Sequence, residues 1–344
     1  MTPRYDFASD NVAGAAPEAL QALIDHNGGS ASGYGTDHVS RRAADLVREL
    51  LDADAEVRFV ANGTAANALS VAALARPFEA VLCHAHAHIE TDETGAPGFF
   101  GQGVGLLTLP GASGKIDPAA LQIALEQPDV SHRQSPAALS LTNATEYGTV
   151  YTDDELRRLI ELADAYVGHQ GRGLPVHLDG ARLANAAAAG FELKELPRIG
   201  VDLLVMGGTK AGMTPTEAIV LFDRSLSRRF DARLKQAGQL TSKGRFLSAP
   251  WIGMLETGAW AARAEHANAM ARRLAAAVSP HFPLNHPVEA NAVFVAMDEA
   301  ALQRLRAQGW FVYRFLDGSV RMMCSWATTP EAVDEFAAAV AAIA

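Results

Sequence analysis

Between about residue 40 and residue 225, short apolar runs alternate with segments of helical period, and several of those runs end in a glycine-bearing turn. The stretches "EVRFVANGTAAN", "EAVLCHAHAH", "AALSLTNATE", "LPVHLDGAR", "VDLLVMGGTK" and "EAIVLFD" carry the runs, and segments such as "SRRAADLVRELLDA" and "TDDELRRLIELADAYV" lie between them, the latter with Thr152 as its cap. Strands that alternate with helices are joined by crossovers, so the pattern specifies βαβ units: an α/β fold with a mostly parallel central sheet and helices on both faces. In such a sheet the ligand sits beyond the carboxyl ends of the strands.

From "FLSAPWIGMLETGAW" onward the pattern changes to a long Ala/Arg-rich helix over about 255–278, then short strands ("ANAVFVAM", "RMMCSW") between helices. This reads as a smaller α+β C-terminal domain. The expected organisation is an N-terminal segment 1–20, a large domain 21–250 and a small domain 251–344. A chain of 344 residues is long enough to bury such a core. The one stretch expected to be loosely ordered is "EQPDVSHRQSP". The formal net charge of −10 argues against a nucleic-acid or anionic-membrane surface. Two cysteines, Cys83 and Cys324, are too few for a disulfide framework and fit a reducing compartment. "MTPRYDFASDN" lacks the pattern of a signal peptide, and no apolar stretch reaches membrane-spanning length, so a cytoplasmic protein is expected.

Three strand ends carry unusual chemistry. "ANGTAAN" opens a helix after a strand, so Gly63 and Thr64 offer backbone N–H groups and a hydroxyl to an anion. "VHLDGAR" puts Asp179 at a strand end, with Gly180 leaving room and Arg182 close by. "VMGGTKAG" puts Lys210, one of only five lysines, in a glycine-bordered turn, where desolvation and nearby cations would make it nucleophilic. Taken singly, each is as readily a helix start, a turn acid or a surface lysine. Together, in this order, they match what pyridoxal phosphate requires: an anion cradle, a carboxylate for the pyridine nitrogen and a lysine for the aldehyde.

"VLCHAHAHIETDETGA" places His84, His86 and His88 two residues apart, which on a strand puts all three imidazoles on one face. Three such ligands can make an open zinc site, although same-strand imidazoles converge on one ion only if the backbone bends. They can also simply fill a polar strand edge.

The chain resembles the low-specificity L-threonine aldolase family of fold-type-I pyridoxal phosphate-dependent enzymes. The resemblance runs nearly end to end and rests on "FASDN", "GYGTD", "NGTAAN", "HAHIETDETGAP", "VHLDGAR", "GGTKAG", "KQAGQLTSKGRFLSAPW" and "RMMCSW". It implies that Lys210 forms the Schiff base with the cofactor and that Asp179 pairs with the pyridinium nitrogen. It implies too that Gly63 and Thr64 hold the phosphate, with Arg233 reaching it from a neighbouring subunit. His88 would stack on the ring and serve as a candidate base, leaving His84 and His86 without a catalytic duty. His132 is the counterpart of a second histidine that contacts the substrate hydroxyl in relatives. Ser9, Arg182 and Arg321 would take the substrate carboxylate, and Tyr34 would line the site from across an interface. The implied activity is retro-aldol cleavage of β-hydroxy-α-amino acids to glycine and an aldehyde, by a homotetramer assembled from dimers, with no resident metal. Ala211 and "TNATEYG", where relatives commonly carry a polar residue and Glu-Asn-Thr-His, depart from the family pattern. A phenylserine-type aldolase or a β-eliminating lyase of the same fold would use the same lysine and acid. A histidine-based metallohydrolase is the reading from a different class.

Overall fold

The computed structural model describes residues 3–167, 171 and 173–344. Seven strands form the central sheet: β1 (Glu56–Val60), β2 (Glu79–His84), β3 (Gly105–Leu109), β4 (Ser135–Thr142), β5 (Val176–Gly180), β6 (Leu203–Gly207) and β7 (Glu217–Leu221). Their spatial order is β1-β7-β6-β5-β4-β2-β3, parallel throughout except for β7, which runs antiparallel to both neighbours. The carboxyl ends of β1, β2, β4, β5 and β6 therefore share one edge, and the amino end of β7 joins them there.

The period of two in the apolar runs becomes two buried faces. Leu204 and Met206 of β6, with Ala218 and Val220 of β7, face a core closed by the helices His38–Leu51, Asp153–Asp164 and Arg245–Glu256. Leu203 and Val205, with Ile219 and Leu221, face the opposite core beneath the helices Gly63–Leu74 and Phe230–Gln236. Thr152 caps its helix as expected: its hydroxyl accepts from Glu155 N at 3.2 Å, and the Glu155 carboxylate accepts from Thr152 N at 2.8 Å.

A second, antiparallel sheet has the order β8 (Ala292–Val295), β10 (Val320–Met323), β9 (Tyr313–Arg314). The helices Ala259–Val278, Glu299–Ala307 and Pro330–Ala341 enclose its own apolar core. The helix expected to begin near 255 begins at Ala259 instead, because Thr257 and Gly258 break the chain after Glu256, Gly258 having φ +73°. The amino-terminal segment ties the two parts together. Phe7 lies in the small-domain core, while the helix Pro17–Asp25 packs against Arg245–Glu256.

β5 and β6 approach each other closely just where they leave the sheet. A Cβ at Gly207 would lie 2.1 Å from the Ala181 carbonyl oxygen, and one at Gly180 would lie 2.7 Å from that of Val205. Gly207→Ala must push the two backbones apart and is expected to lower stability by about 1–3 kcal/mol. Gly28→Ala, which meets nothing within 4 Å, is expected to stay within about 0.5 kcal/mol. Denaturant unfolding of both variants checks the contrast.

Glu217, at the amino end of β7, is fully enclosed beside the same edge, and its Oε2 accepts from Gly208 N at 2.7 Å. Burial pushes its carboxyl up from the usual 4.5 to about 7. A carboxyl raised by folding stabilises the fold while protonated and loses that contribution as pH rises from 4.5 through 7. Glu217→Gln removes the titration, so the melting temperature of the variant relative to the unsubstituted protein is expected to increase between pH 5 and pH 8. A difference that is flat with pH would contradict the assignment.

Candidate active site

A cleft of about 400 Å³ opens at the shared strand edge, between the large sheet and the β9–β10 hairpin. Ser9, His88, Arg182, Lys210 and Arg321 all line it, so five residues singled out from the sequence meet in one place. Asn11, Thr91, Asp92, Glu146, Tyr313 and Phe315 are among the residues that complete the wall.

Asp179 is the last residue but one of β5, paired across the sheet with Thr142 and Val205 and buried. Its Oδ1 accepts from Ala181 N at 2.9 Å and its Oδ2 from Asn67 Nδ2 at 2.9 Å. Burial pushes the acid up, but the positive charges of His88, His177 and Lys210 outweigh it and hold the carboxyl below its usual value. It is therefore ionised at neutral pH with lone pairs to spare. Lys210 sits half-buried in the turn after β6, which is knotted by Thr209 N and Thr216 O at 3.1 Å and by Met213 N and Gly208 O at 3.1 Å. Among the described residues its amine has no hydrogen bond or ion pair.

Asn67, on the helix Gly63–Leu74, donates through the same nitrogen to Glu93 Oε1 at 2.8 Å. That oxygen also faces His88 Nδ1 at 2.9 Å, while His88 Nε2 lies 3.4 Å from Asp92. Burial works against the charged ring, but the bond to Glu93 and the charges of Glu146 and Asp179 raise the His88 pKa. At the start of the same helix Asn62 caps Ala65 N at 2.8 Å, and among the described residues the N–H groups of Gly63 and Thr64 have no acceptor.

Arg182 is turned away from the cleft by a buried fork. Its Nε and Nη2 donate to Asp10 at 2.7 and 3.1 Å, and Asn291 adds a third bond to Asp10 at 3.1 Å. Only Nη1 remains toward the cleft, 3.9 Å from Glu146. Arg321, on β10, stacks between Tyr313 and Phe315 at 4.8 and 5.0 Å. Among the described residues its buried Nε has no partner, and burial together with the neighbouring Arg182 lowers its pKa to about 10. It remains a cation, short of an anion.

Other residues singled out from the sequence lie elsewhere. His132 does not reach the cleft: it is exposed in the turn before β4, at the amino edge of the sheet, and the eight residues of β4 separate it from the cleft by about 25 Å. Tyr34 is half-exposed, with φ +59°, on the rim of a separate cavity of about 520 Å³. Arg233 is exposed on the helix Phe230–Gln236 and, among the described residues, has no ion pair. The three histidines of "HAHAH" do not share a strand face. β2 ends at His84, the chain turns, and His88 starts a short helix. His84 faces Gly111 O at 3.1 Å and His86 faces the Tyr147 hydroxyl at 2.6 Å, so the rings point to three different partners. No group of three His, Cys, Asp or Glu among the described residues is placed to hold a metal ion.

The residues present fit pyridoxal phosphate. An ionised acid with free lone pairs, an unpartnered lysine, a pair of unclaimed N–H groups at a helix start and a histidine ring occupy one edge of one sheet. Reading the sequence alone passed over Asn67, Glu93, Asp10, Asn291 and Glu146. Two of them carried a signal: Asn67, an amide alone within the apolar run "AANALSVAALA", and Glu146, in the unusual "TNATEYG".

Comparison with known proteins agrees. A profile of the beta-eliminating lyase family matches residues 6–300. The chain is 48% identical to a low specificity L-threonine aldolase of Pseudomonas aeruginosa, over 96% of this chain and 95% of that one. It is 46% identical to another from a Pseudomonas species, over 98% and 97%. Among solved structures it superposes on a threonine aldolase of Leishmania major with a TM-score of 0.90 and 30% identity, over 99% of this chain and 100% of that one. The chain belongs to the beta-eliminating lyase family and, within it, to the low-specificity L-threonine aldolases.

Proposed function

We propose that this protein cleaves L-threonine, L-allo-threonine and related β-hydroxy-α-amino acids such as phenylserine to glycine and an aldehyde, with pyridoxal phosphate as cofactor. The observation that carries this reading is the cleft itself. At the ends of adjacent strands it brings together a buried, ionised aspartate and a lysine that has no partner among the described residues, opposite an arginine that has no anion among them. When bound, the cofactor supplies an aldehyde that condenses with amines and a ring that takes up the electron pair of the broken bond.

The chain's own groups divide the remaining work. Lys210 would hold the cofactor through its aldehyde and give it up to the substrate's amino group. Asp179 would keep the ring nitrogen protonated, with Asn67 and Ala181 N fixing the carboxylate's orientation. Gly63 N and Thr64 N would receive the phosphate. His88, braced by Glu93, would be the residue to lie against the ring. Arg321 takes the substrate carboxylate, joined by Ser9 and by Nη1 of Arg182; two contacts to one carboxylate set which Cα bond is presented for cleavage. We further propose a cytoplasmic homotetramer of paired dimers, in which Tyr34 and Arg233, exposed on a single chain, reach a neighbour's site. The buried, unpaired thiols of Cys83 and Cys324 support a reducing compartment.

A visible absorption band in the purified protein that shifts when glycine is added, and that is lost or altered in Lys210→Ala, is the expected result. A protein that stays colourless with added pyridoxal phosphate would sink the reading. Removing a cation that meets a carboxylate in a dry site costs about 2–5 kcal/mol, so Arg321→Ala should raise KM for threonine by about tenfold or more. An unchanged KM would remove Arg321 from the substrate site.

A further inference from the structure

Glu146 lies on the loop that leaves β4 and lines the cleft with His88, Arg182, Lys210 and Arg321. The residue is only 8% exposed. Yet among the described residues its carboxylate accepts no hydrogen bond, and its contact with Arg182 Nη1 is 3.9 Å, beyond hydrogen-bonding reach. Arg182 cannot come closer without giving up the fork to Asp10. A carboxylate held in a cleft with its lone pairs uncommitted is an acceptor for whatever enters.

His88, the other group within reach, is differently placed. Both of its nitrogens face carboxylates, Glu93 at 2.9 Å and Asp92 at 3.4 Å. With both ring nitrogens turned to carboxylates, neither is left free to take a proton from the substrate. Asp92 is the only other carboxylate on the cleft wall among the described residues; its side chain is 80% exposed and turned to His88. With the substrate carboxylate on Arg321 and its amino group at Lys210, the hydroxyl-bearing arm meets the rest of the lining, where Glu146 stands.

We propose that Glu146 is the catalytic base that removes the β-hydroxyl proton of the amino-acid substrate in the retro-aldol step. The proposal rests on the function proposed above. The hydroxyl proton passes to a Glu146 oxygen, and the O–H electron pair becomes the second carbon–oxygen bond of the departing aldehyde. The Cα–Cβ bond breaks, and its pair stays with the glycine fragment. Cα then takes up one proton and Glu146 releases one, so the amino acid yields glycine and aldehyde with no net gain or loss.

The test compares the unsubstituted holoenzyme with Glu146→Gln and Glu146→Asp. It follows L-threonine cleavage, the change in visible absorption on glycine binding, and exchange of the glycine α-hydrogen in deuterated water, read by proton NMR. Glycine has no hydroxyl, so binding and exchange need Lys210 and Arg321 but not a base at the β-oxygen. Glu146→Gln should lower kcat on threonine by on the order of 100-fold or more, while KM, glycine affinity and exchange stay within about twofold. Glu146→Asp, the variant to rely on if the glutamine form does not fold, should fall between. An unchanged kcat overturns the proposal. So does a parallel loss of glycine affinity and threonine KM, which would make Glu146 a positioning residue acting through Arg182, and so does a loss of exchange along with cleavage. An unsubstituted enzyme that neither exchanges glycine nor cleaves threonine overturns the proposed function itself, and the proposal with it.

Discussion

The cleft depends on one buried ion pair, the fork between Arg182 and Asp10. Arg182 follows β5, Asp10 belongs to the amino-terminal segment, and Asn291, which also bonds Asp10, precedes β8 of the small domain. Three distant parts of the chain are thus held at a single carboxylate. The charge of Arg182 overcomes the cost of burial and keeps Asp10 ionised, down to about 2. Removing one partner of such a pair strands the other in a medium of low polarity, at a cost of about 3–5 kcal/mol. The pair also orders the neighbouring residue: Ser9, whose side chain caps Asn11 N at 3.2 Å, is presented to the cleft because Asp10 is pinned behind it.

Beyond that pair, the site is an imbalance of charge among buried side chains. Asp179, Glu93 and Asp10 lie buried on the sheet side, and each has a cation or an amide donor. Among the described residues, Arg321 on the opposite wall stacks on aromatic rings and its Nε has no hydrogen-bond partner. Desolvation without a counter-ion is costly, and a fold retains such a group where a ligand supplies the missing charge. On the proposed function an amino acid would supply it with its carboxylate, and its two ends would span the cleft that Lys210 and Arg321 both line.

Most of this architecture was legible in the chain, because it is written in local periodicities. The six apolar runs became six of the seven strands of the central sheet, β3 with its partly exposed side chains being the one they did not include, and Asp179, Lys210 and the Gly63–Thr64 turn stand at the edge where a parallel sheet puts its ligands. Misreadings arose where a local pattern outran the element that carried it. Period two in "HAHAH" means one face only while the strand lasts, and β2 stops at His84. His132 lies at the amino end of β4, on the far side of the sheet, a fact no spacing discloses. What stayed hidden is long-range: Asp10 meets Arg182 across 172 positions, and Asn67 meets Asp179 across 112. Glu146 was visible as part of the unusual "TNATEYG", but its nearness to Arg182 comes only from the fold.

On the proposed function this cleft breaks the Cα–Cβ bond of a β-hydroxy amino acid rather than eliminating its hydroxyl. Both outcomes are open to a lysine and an aspartate arranged in this way, and the products separate them. Purified enzyme incubated with L-threonine, with all products quantified by proton NMR, tests it most directly. Glycine and acetaldehyde in equal amounts are the expected products. Formation of 2-oxobutanoate and ammonia in their place would contradict it.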